Sequence, residues 1–238
     1  MSDAWLVLVA AGQGTRLGKG EPKAFVSLCG RPLVCYSLEA AGQCDAIAAV
    51  VVAADEGRVR TALKRLSPTA VGKIREIVPG GETRRLSVLS GLRAVKRHSQ
   101  SNPVVLVHDA ARPFASPELL ERMVTEAQDG AIICARPVVD TVKRVDGDQI
   151  LETMPRENLA LAQTPQAAPL DLLERAHAAA GEAAAGDDAV LIESLGETVR
   201  VFVGPSINFK ITDQEDLKLA EAWVRGGGTP WVTGSESW

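Results

Sequence analysis

The glycine-rich stretch near the start of the chain has residue types and spacing suited to phosphate chemistry. Six apolar residues at 5–10 run directly into AAGQGTRLG, and an EPK segment follows. Glycines allow the backbone to approach a phosphate closely and to direct N–H groups towards it. Arg16 and Lys23 place two positive charges just beyond this turn, where a polyphosphate would lie. The segment therefore predicts a phosphate-binding loop at the end of a buried strand.

Two common phosphate-loop patterns do not fit this segment. The dinucleotide pattern G-x-G-x-x-G is met by Gly12 and Gly14 but has Leu17 at its third glycine. The pattern G-x-x-x-x-G-K-[ST] fails because Gly18-Lys19 is followed by Gly20. The remaining pattern, A-A-G-x-G-x-R followed by P-K, suits the triphosphate of a free nucleotide. An ordinary strand and turn with surface cations is the alternative.

Two later segments also place polar residues after apolar runs. PGGETRRLSV follows the run 74–78 and could hold a base through backbone groups and the Ser87 hydroxyl, or could be a simple turn. In VVLVHDAARPF the apolar strand ends in His108-Asp109, and the Asp109 carboxylate could meet a metal, a ribose or a substrate hydroxyl. Arg112 could bind a substrate phosphate or pair with Asp109. His108 is interpreted as a packed structural histidine.

Lys210 lies just before a helix predicted to begin near Asp213 or Thr212. The negative end of a helix dipole is at its other terminus, so the dipole does not explain this cation. A ligand phosphate would explain it, and a solvated lysine is the alternative.

Composition limits the classes of protein and of partner. The chain has 238 residues with 46% hydrophobic and 24% charged residues, and we predict one domain over 1–225 and a flexible tail over 226–238. The net charge of −4 gives no electrostatic case for nucleic-acid binding. No apolar run could span a bilayer, and the first residues lack the basic region of a signal peptide. The four cysteines lack the spacing of metal ligands and are expected to be free thiols. Free thiols, with no membrane span and no signal peptide, predict a cytoplasmic protein.

Short apolar runs alternate with amphipathic stretches along the chain. The predicted strands are 5–10, 46–53, 74–78, 104–108, 131–135 and 199–203. The predicted helices are 33–41, 56–66, 83–97, 117–128 and 170–180. This alternation predicts an α/β fold with a mainly parallel, twisted sheet flanked by helices. Ligands of such folds bind beyond the carboxyl ends of the strands, where the polar segments described above fall.

One segment, at about 138–164, interrupts this alternation. The runs 141–145 and 149–153 flank Asp146-Gly147-Asp148, which indicates a β-hairpin. Two strands alone are marginally stable in water, so a projecting arm should pack on something, and a second subunit is a natural candidate. An excursion that folds back on its own domain is the alternative.

Six segments occur together in an order that resembles one known family. They are AAGQGTRLG with EPKAF, GGETRRLSV, VHDAARP, PVVDTVKR, TPQ and INFKIT. The chain resembles the 2-C-methyl-D-erythritol 4-phosphate cytidylyltransferases of the non-mevalonate isoprenoid pathway over about 5–224. The resemblance implies a Rossmann-like nucleotidyltransferase fold and a homodimer joined by projecting arms. It also implies attack of the methylerythritol 4-phosphate on the α-phosphate of CTP, with pyrophosphate leaving and Mg²⁺ held mainly by the CTP phosphates.

The resemblance also implies roles for particular residues. Arg16 and Lys23 would stabilise charge on the α-phosphate, and Arg156 and Lys210 complete the expected catalytic set. Nucleotide and acceptor would be bound by Ala10, Ala11, Gly12, Gly14, Gly81, Glu82, Ser87, Asp109, Ala110, Arg112, Thr141 and Thr164. Of these, Thr141 lies in the arm with Arg156 and would reach the partner subunit's site. No metal ligand is assigned, and Asp109 is the nearest candidate.

The sequence departs from the family pattern at two places, and three other interpretations compete. Gly186 stands where the family commonly has threonine, and Ala24-Phe25 follows Lys23 where glutamine is common. Ribitol-5-phosphate cytidylyltransferases share several segments, although Lys143-Arg144 favours the methylerythritol enzyme. A sugar-1-phosphate nucleotidyltransferase would more often have Gly-Gly after the first strand. A non-catalytic nucleotide-binding protein on this fold should have lost Arg16 or Lys23.

Overall fold

The computed structural model describes residues 4–12, 14, 21–181 and 186–229. Its strands in this part of the chain are β1 (Ala4–Val9), β2 (Ser27–Leu28), β3 (Arg31–Pro32), β4 (Ile47–Ala53), β5 (Ile74–Val78), β6 (Val104–Asp109), β7 (Ala131–Pro137), β8 (Val142–Asp146), β9 (Gln149–Met154), β10 (Ala160–Pro169) and β11 (Val199–Val203). Its helices are α1 (Leu33–Gln43), α2 (Glu56–Leu63), α3 (Pro68–Lys73), α4 (Arg84–His98), α5 (Pro117–Glu126), α6 (Leu170–Ala179), α7 (Asp188–Glu193) and α8 (Gln214–Arg225). None of these helices is long and apolar enough to cross a membrane.

A seven-stranded sheet forms the centre of the fold, in the order β11-β7-β10-β6-β1-β4-β5. Strand β10 runs antiparallel to its neighbours β6 and β7, whereas the other pairs in this sheet are parallel. The near-continuous apolar runs of β1, β4 and β6 are what a parallel strand covered on both faces requires. The expectation of a mainly parallel α/β sheet is therefore confirmed.

Alternate residues of β1 supply the two cores on either side of the sheet. Leu6 and Leu8 are fully buried in a cluster that includes residues of α1 and α5. Val7 faces the opposite way, into a cluster with α4 and α6. A smaller third cluster, which includes Tyr36 and Phe114, packs the segment around Ile211 and α8 against the domain. All four cysteines are free, as predicted.

The strand β10 was not predicted, and it changes where the arm ends. We expected the arm to occupy 138–164, but from Ala160 onwards the chain already lies in the central sheet, paired with β7. The segment ALAQTPQAAP has two prolines and a single β-branched residue, so its composition does not indicate a strand. Its place between β6 and β7 comes from tertiary pairing.

The predicted hairpin is present as β8 and β9, which form a separate two-stranded sheet. Gly147 has φ +57°, the left-handed backbone that a tight turn at this point requires. The apolar side chains of Val145, Ile150 and Leu151 are more than half exposed on this hairpin. Val145 and Ile150 are cross-strand partners on one face of the hairpin and Leu151 points to the other face, and the described part of the chain leaves all three more than half exposed.

The last described residues lie against α8. The indole Nε1 of Trp223 donates a hydrogen bond to Gly228 O at 2.8 Å, and Thr229 is buried. The rest of the tail for which we predicted flexibility, 230–238, lies outside the described residues.

Candidate active site

A cavity of about 320 Å³ lies beyond the carboxyl ends of β1, β5 and β6. This is the edge of the sheet where the strand-end segments were expected to meet. The residues that line it are Val9, Ala10, Ala11, Gly12, Gly14, Lys23, Ala24, Gly81, Glu82, Thr83, Arg84, Ser87, Asp109, Ala111 and Lys210. Its size and its mixture of apolar and charged walls fit a small-molecule site.

The glycine loop brings Lys23 to the cavity wall. The Lys23 N–H donates to Gly12 O at 3.0 Å, which folds the chain back after the turn. Gly14 has φ +65°, and a Cβ there would lie 2.9 Å from Lys23 N, so a side chain would be excluded. Arg16 lies outside the described residues, with 15–20 as a whole. Its role therefore stays a prediction.

The Ser87 side chain stabilises the loop that follows β5 and leads into α4. Its Oγ accepts a hydrogen bond from Gly81 N–H at 3.0 Å and donates to Thr83 O at 3.0 Å. The residue is fully buried, so both hydrogen bonds hold the loop that leads into α4. The Ser87 hydroxyl therefore fixes the backbone of Gly81, a residue of the cavity wall.

Replacing Gly80 by alanine should weaken binding of the nucleotide that the sequence leads us to expect in this cavity. A Cβ at Gly80 would lie 2.1 Å from Ala11 Cβ, so the two loops that form the cavity would have to move apart. We expect the KM for the nucleotide to rise by about tenfold or more, because ångström-scale displacement of binding groups is costly. Gly72→Ala is the matched control, since nothing lies within 4 Å of a Cβ there. Equal KM values for the two variants would contradict the packing argument.

Asp109 is the centre of the charged wall. Its Oδ1 accepts a hydrogen bond from Arg84 Nε at 3.0 Å, and its Oδ2 accepts one from Lys210 Nζ at 2.7 Å. Arg84 also pairs with Asp188, whose Oδ2 lies 2.8 Å from Arg84 Nη2. His177 Nε2 lies 3.0 Å from the other oxygen of Asp188.

These pairs keep the carboxylates ionised despite burial. Burial alone would raise the pKa of Asp109, but Arg84 and Lys210 outweigh it and hold that pKa well below its usual range. Burial likewise opposes the charge on Arg84, and the carboxylates of Asp188 and Asp109 raise its pKa above the usual value. Asp109 and Arg84 therefore both stay charged at neutral pH.

The buried side chains of His108 and Thr164 hold the backbone of Asp109 in place through hydrogen bonds. Since Arg112 O can only accept, His108 Nε2 donates to it at 3.0 Å, and Nδ1 accepts from the Thr164 hydroxyl at 3.1 Å. Thr164 Oγ1 in turn accepts from Asp109 N–H at 3.0 Å. Both side chains are buried, which confirms the interpretation of His108 as structural. Thr164 does not line the cavity.

Acid should destabilise the protein through His108. Burial lowers the pKa of His108 from 6.5 to about 4, so the unfolded chain takes up a proton at a pH where the folded chain does not. Stability is therefore lost as pH falls from about 6.5 to about 4, by about 3 kcal/mol at the lower end. Urea unfolding at pH 7 and pH 4.5 measures this loss. His108→Gln, which keeps a donor and an acceptor without a titrating ring, should lack it; the same loss in both proteins would refute the assignment.

The remaining predicted residues divide by location. Ala110 is fully buried, and its N–H donates to Val9 O, while Ala111 lines the cavity. Arg112 Nη1 donates to Asn208 O at 3.0 Å rather than to Asp109. Thr141 and Arg156 are exposed beside the hairpin and are not among the residues that line the cavity. The Arg156 guanidinium donates to Val139 O.

No group of three His, Cys, Asp or Glu side chains within the described ranges could hold a metal ion. The carboxylates at the cavity wall are Asp109 and the exposed Glu82. Asp109 is already paired with two cations, Arg84 and Lys210. This donor set does not form a protein cage for a divalent ion, but it is compatible with an ion carried mainly by substrate phosphates.

Arg84 and Asp188 are part of this site, and the sequence analysis gave them no role. A signal for Arg84 was present, because a cation in the first turn of a helix opposes the helix dipole and requires an anionic partner. Asp188 gave no such signal, since a carboxylate suits the first turn of α7. The ion pair joins residues far apart in the chain.

Fold and site together define a nucleotidyltransferase of the α/β class, with a cation-lined cavity at the carboxyl edge of a mostly parallel sheet. The family model for 2-C-methyl-D-erythritol 4-phosphate cytidylyltransferase matches residues 4–226. The chain belongs to this family.

Individual relatives are similar to this chain over nearly its whole length. A 2-C-methyl-D-erythritol 4-phosphate cytidylyltransferase of Halalkalibacterium halodurans is 42% identical over 220 residues, covering 91% of this chain and 95% of that protein. The crystal structure of the enzyme of that name from Thermus thermophilus is 37% identical, with a TM-score of 0.72, and covers 92% of this chain and 98% of that one. The 4-diphosphocytidyl-2C-methyl-D-erythritol synthase of Anaerococcus prevotii is 30% identical, with a TM-score of 0.80, covering 94% and 96%.

Proposed function

We propose that the chain transfers a cytidylyl group from CTP to 2-C-methyl-D-erythritol 4-phosphate, giving CDP-methylerythritol and pyrophosphate. A phosphate oxygen of the acceptor attacks the α-phosphorus of CTP, and the bond to the β-phosphate oxygen breaks. The observation that carries this proposal is the cavity in which Lys23, Arg84 and Lys210 converge at the carboxyl edge of the sheet. Family membership favours this reaction over the three competing interpretations.

The geometry suits a reaction that needs positioning and charge stabilisation. The acceptor phosphate is anionic at neutral pH, so the attacking oxygen needs no general base. Lys23 at the cavity wall, with Arg16 from the adjacent loop, would stabilise the charge that develops on the α-phosphate. The loop at Gly81 and the segment Ala10–Gly12 would hold cytosine and ribose through backbone groups. Asp109 and Lys210 would meet the acceptor.

A magnesium ion fits this cavity as part of the nucleotide. Bound to the CTP phosphates, Mg²⁺ would supply charge neutralisation and Lewis acidity at the phosphates. Asp109, at the cavity wall, is the proposed candidate for a protein ligand. The chain's own contribution is the fixed set of cations and backbone N–H groups around the triphosphate.

The hairpin is the proposed means of dimerisation. The exposed apolar side chains of Val145, Ile150 and Leu151 need a cover, and a second copy of the chain supplies one. Arg156 and Thr141 lie at the base of this hairpin and away from the cavity of their own subunit. We therefore place them in the partner's site, where Arg156 would bind the acceptor phosphate. We further propose that residues 1–225 form a single domain and that the protein acts in the cytoplasm.

Pyrophosphate release from purified protein tests the proposed reaction. The protein is incubated with CTP and Mg²⁺ and with either methylerythritol 4-phosphate or ribitol 5-phosphate. We expect release with the methylerythritol phosphate alone. Release with ribitol phosphate alone would keep the catalytic cations and overturn the substrate. No release with either, in a folded protein that binds CTP, would favour the non-catalytic interpretation.

A further inference from the structure

A chain of contacts between polar and charged side chains runs from the buried layer of α6 and α7 to the cavity. His177 contacts Asp188, Asp188 pairs with Arg84, Arg84 donates to Asp109, and Asp109 accepts from Lys210. The exposed fraction of the side chain is 2% at Asp188, 10% at Asp109 and 37% at Lys210. The chain thus ends at the accessible wall of the site.

Arg84 links two carboxylates that belong to different parts of the fold. Its Nε binds Asp109 at the end of β6, and its Nη2 pairs with Asp188 in the first turn of α7. The contact to Asp109 is a hydrogen bond, whereas the contact to Asp188 is an ion pair without hydrogen-bond geometry. With both ends held, the guanidinium fixes the direction of the Asp109 carboxylate.

The division of charge at Asp109 matters for Lys210. One carboxylate oxygen is taken by Arg84 and the other by Lys210, so the single negative charge is shared between two cations. Lys210 therefore keeps part of its attraction for a substrate phosphate. Without Arg84, the buried carboxylate would be neutralised by Lys210 alone.

We propose that Arg84 is a positioning residue that acts through Asp109 on Lys210 and thereby determines how tightly the acceptor phosphate is bound. This inference rests on the proposed function, in which Lys210 meets the acceptor. Arg84 itself need not touch the reacting phosphates. Its effect should fall mainly on the acceptor and much less on CTP, whose base and ribose lie against the glycine segments.

Steady-state kinetics of Arg84→Ala test the proposal, with Arg85→Ala as the matched control. Arg85 is the next residue on α4, but its Nη1 approaches His177 O at 3.4 Å and it does not line the cavity. We expect Arg84→Ala to raise the KM for methylerythritol 4-phosphate by about tenfold or more, and the KM for CTP by less than about threefold. Millimolar guanidinium should restore part of the lost activity, because it can occupy the space between the two carboxylates. Arg85→Ala should behave as the wild type.

Several results would overturn the proposal. These are kinetic constants of Arg84→Ala within about twofold of the wild type, equal increases in both KM values, or the same loss in Arg85→Ala. If the alanine variant does not fold, Arg84→Gln, which keeps the length without the charge, is judged by the same criteria. A wild-type protein inactive with CTP and methylerythritol 4-phosphate would instead contradict the proposed function itself.

Discussion

Replacing Lys23 by alanine should lower kcat by about a hundredfold or more and leave the fold intact. Lys23 lines the cavity, where its charge would stabilise the α-phosphate as the leaving pyrophosphate separates. Removing one preorganised charge of this kind typically costs a factor of about 10² to 10³. The turn should survive, because the hydrogen bond from Lys23 N–H to Gly12 O belongs to the backbone. Turnover in saturating CTP and acceptor measures the loss.

One control variant and one parallel variant make this prediction specific. Lys218→Ala removes a cation from an exposed position on α8 and should leave kcat unchanged. Arg16→Ala should lower kcat to a similar extent, because the resemblance gives both cations the same role. A Lys23 variant that turns over at a near-normal rate would exclude electrostatic stabilisation by this lysine.

A mixed dimer of two impaired subunits, assayed with the acceptor well below its KM, should regain about half of the wild-type activity per dimer. One subunit carries Lys23→Ala and the other Arg156→Ala, with a different affinity tag on each so that only the mixed dimer is recovered. If each arm completes the partner's site, one of the two sites combines an intact Lys23 with an intact Arg156, and the other site carries both changes. If each arm serves its own subunit, both sites are damaged and activity stays low.

The Arg156→Ala homodimer supplies the second half of this test. Its KM for methylerythritol 4-phosphate should rise far more than its KM for CTP, since Arg156 is proposed to bind the acceptor. Arg144→Ala is the control on the same hairpin, where Arg144 pairs with Glu152 at 2.8 Å. Equal increases in both KM values for Arg156→Ala would contradict the proposal that the arm binds the acceptor.

The sequence predicted those elements that repeat a simple pattern. The strand Ile74–Val78 and the helix that begins after Thr83 follow from apolar periodicity and a side-chain cap. Strand β10 could not be predicted, because its residues favour no regular structure and its pairing with β6 and β7 is decided by distant parts of the chain. The fold class was therefore more accessible than the exact extent of the arm.

The candidate site, too, has features that the sequence predicted and features that only the structure shows. The segments that follow strands could be placed together because parallel strands end at one edge of the sheet. The pairing of Arg84 with Asp188 could not, since it depends on how α4 packs near α7. The hydroxyl of Ser87 was expected to hold a base; in the structure it hydrogen-bonds its own loop and Ser87 also lines the cavity, so this role stays a prediction.

The register of β7 and β10 has a consequence for the modularity of the enzyme. Pro137 and Ala160 are partners in that register, so the chain leaves the sheet and returns to it at adjacent positions. The segment between them is therefore an insertion with neighbouring ends, and its length can change without altering the spacing of the central strands. The proposed subunit association and the nucleotide binding would thus be encoded in separable stretches of sequence, which leaves each free to diverge at its own pace.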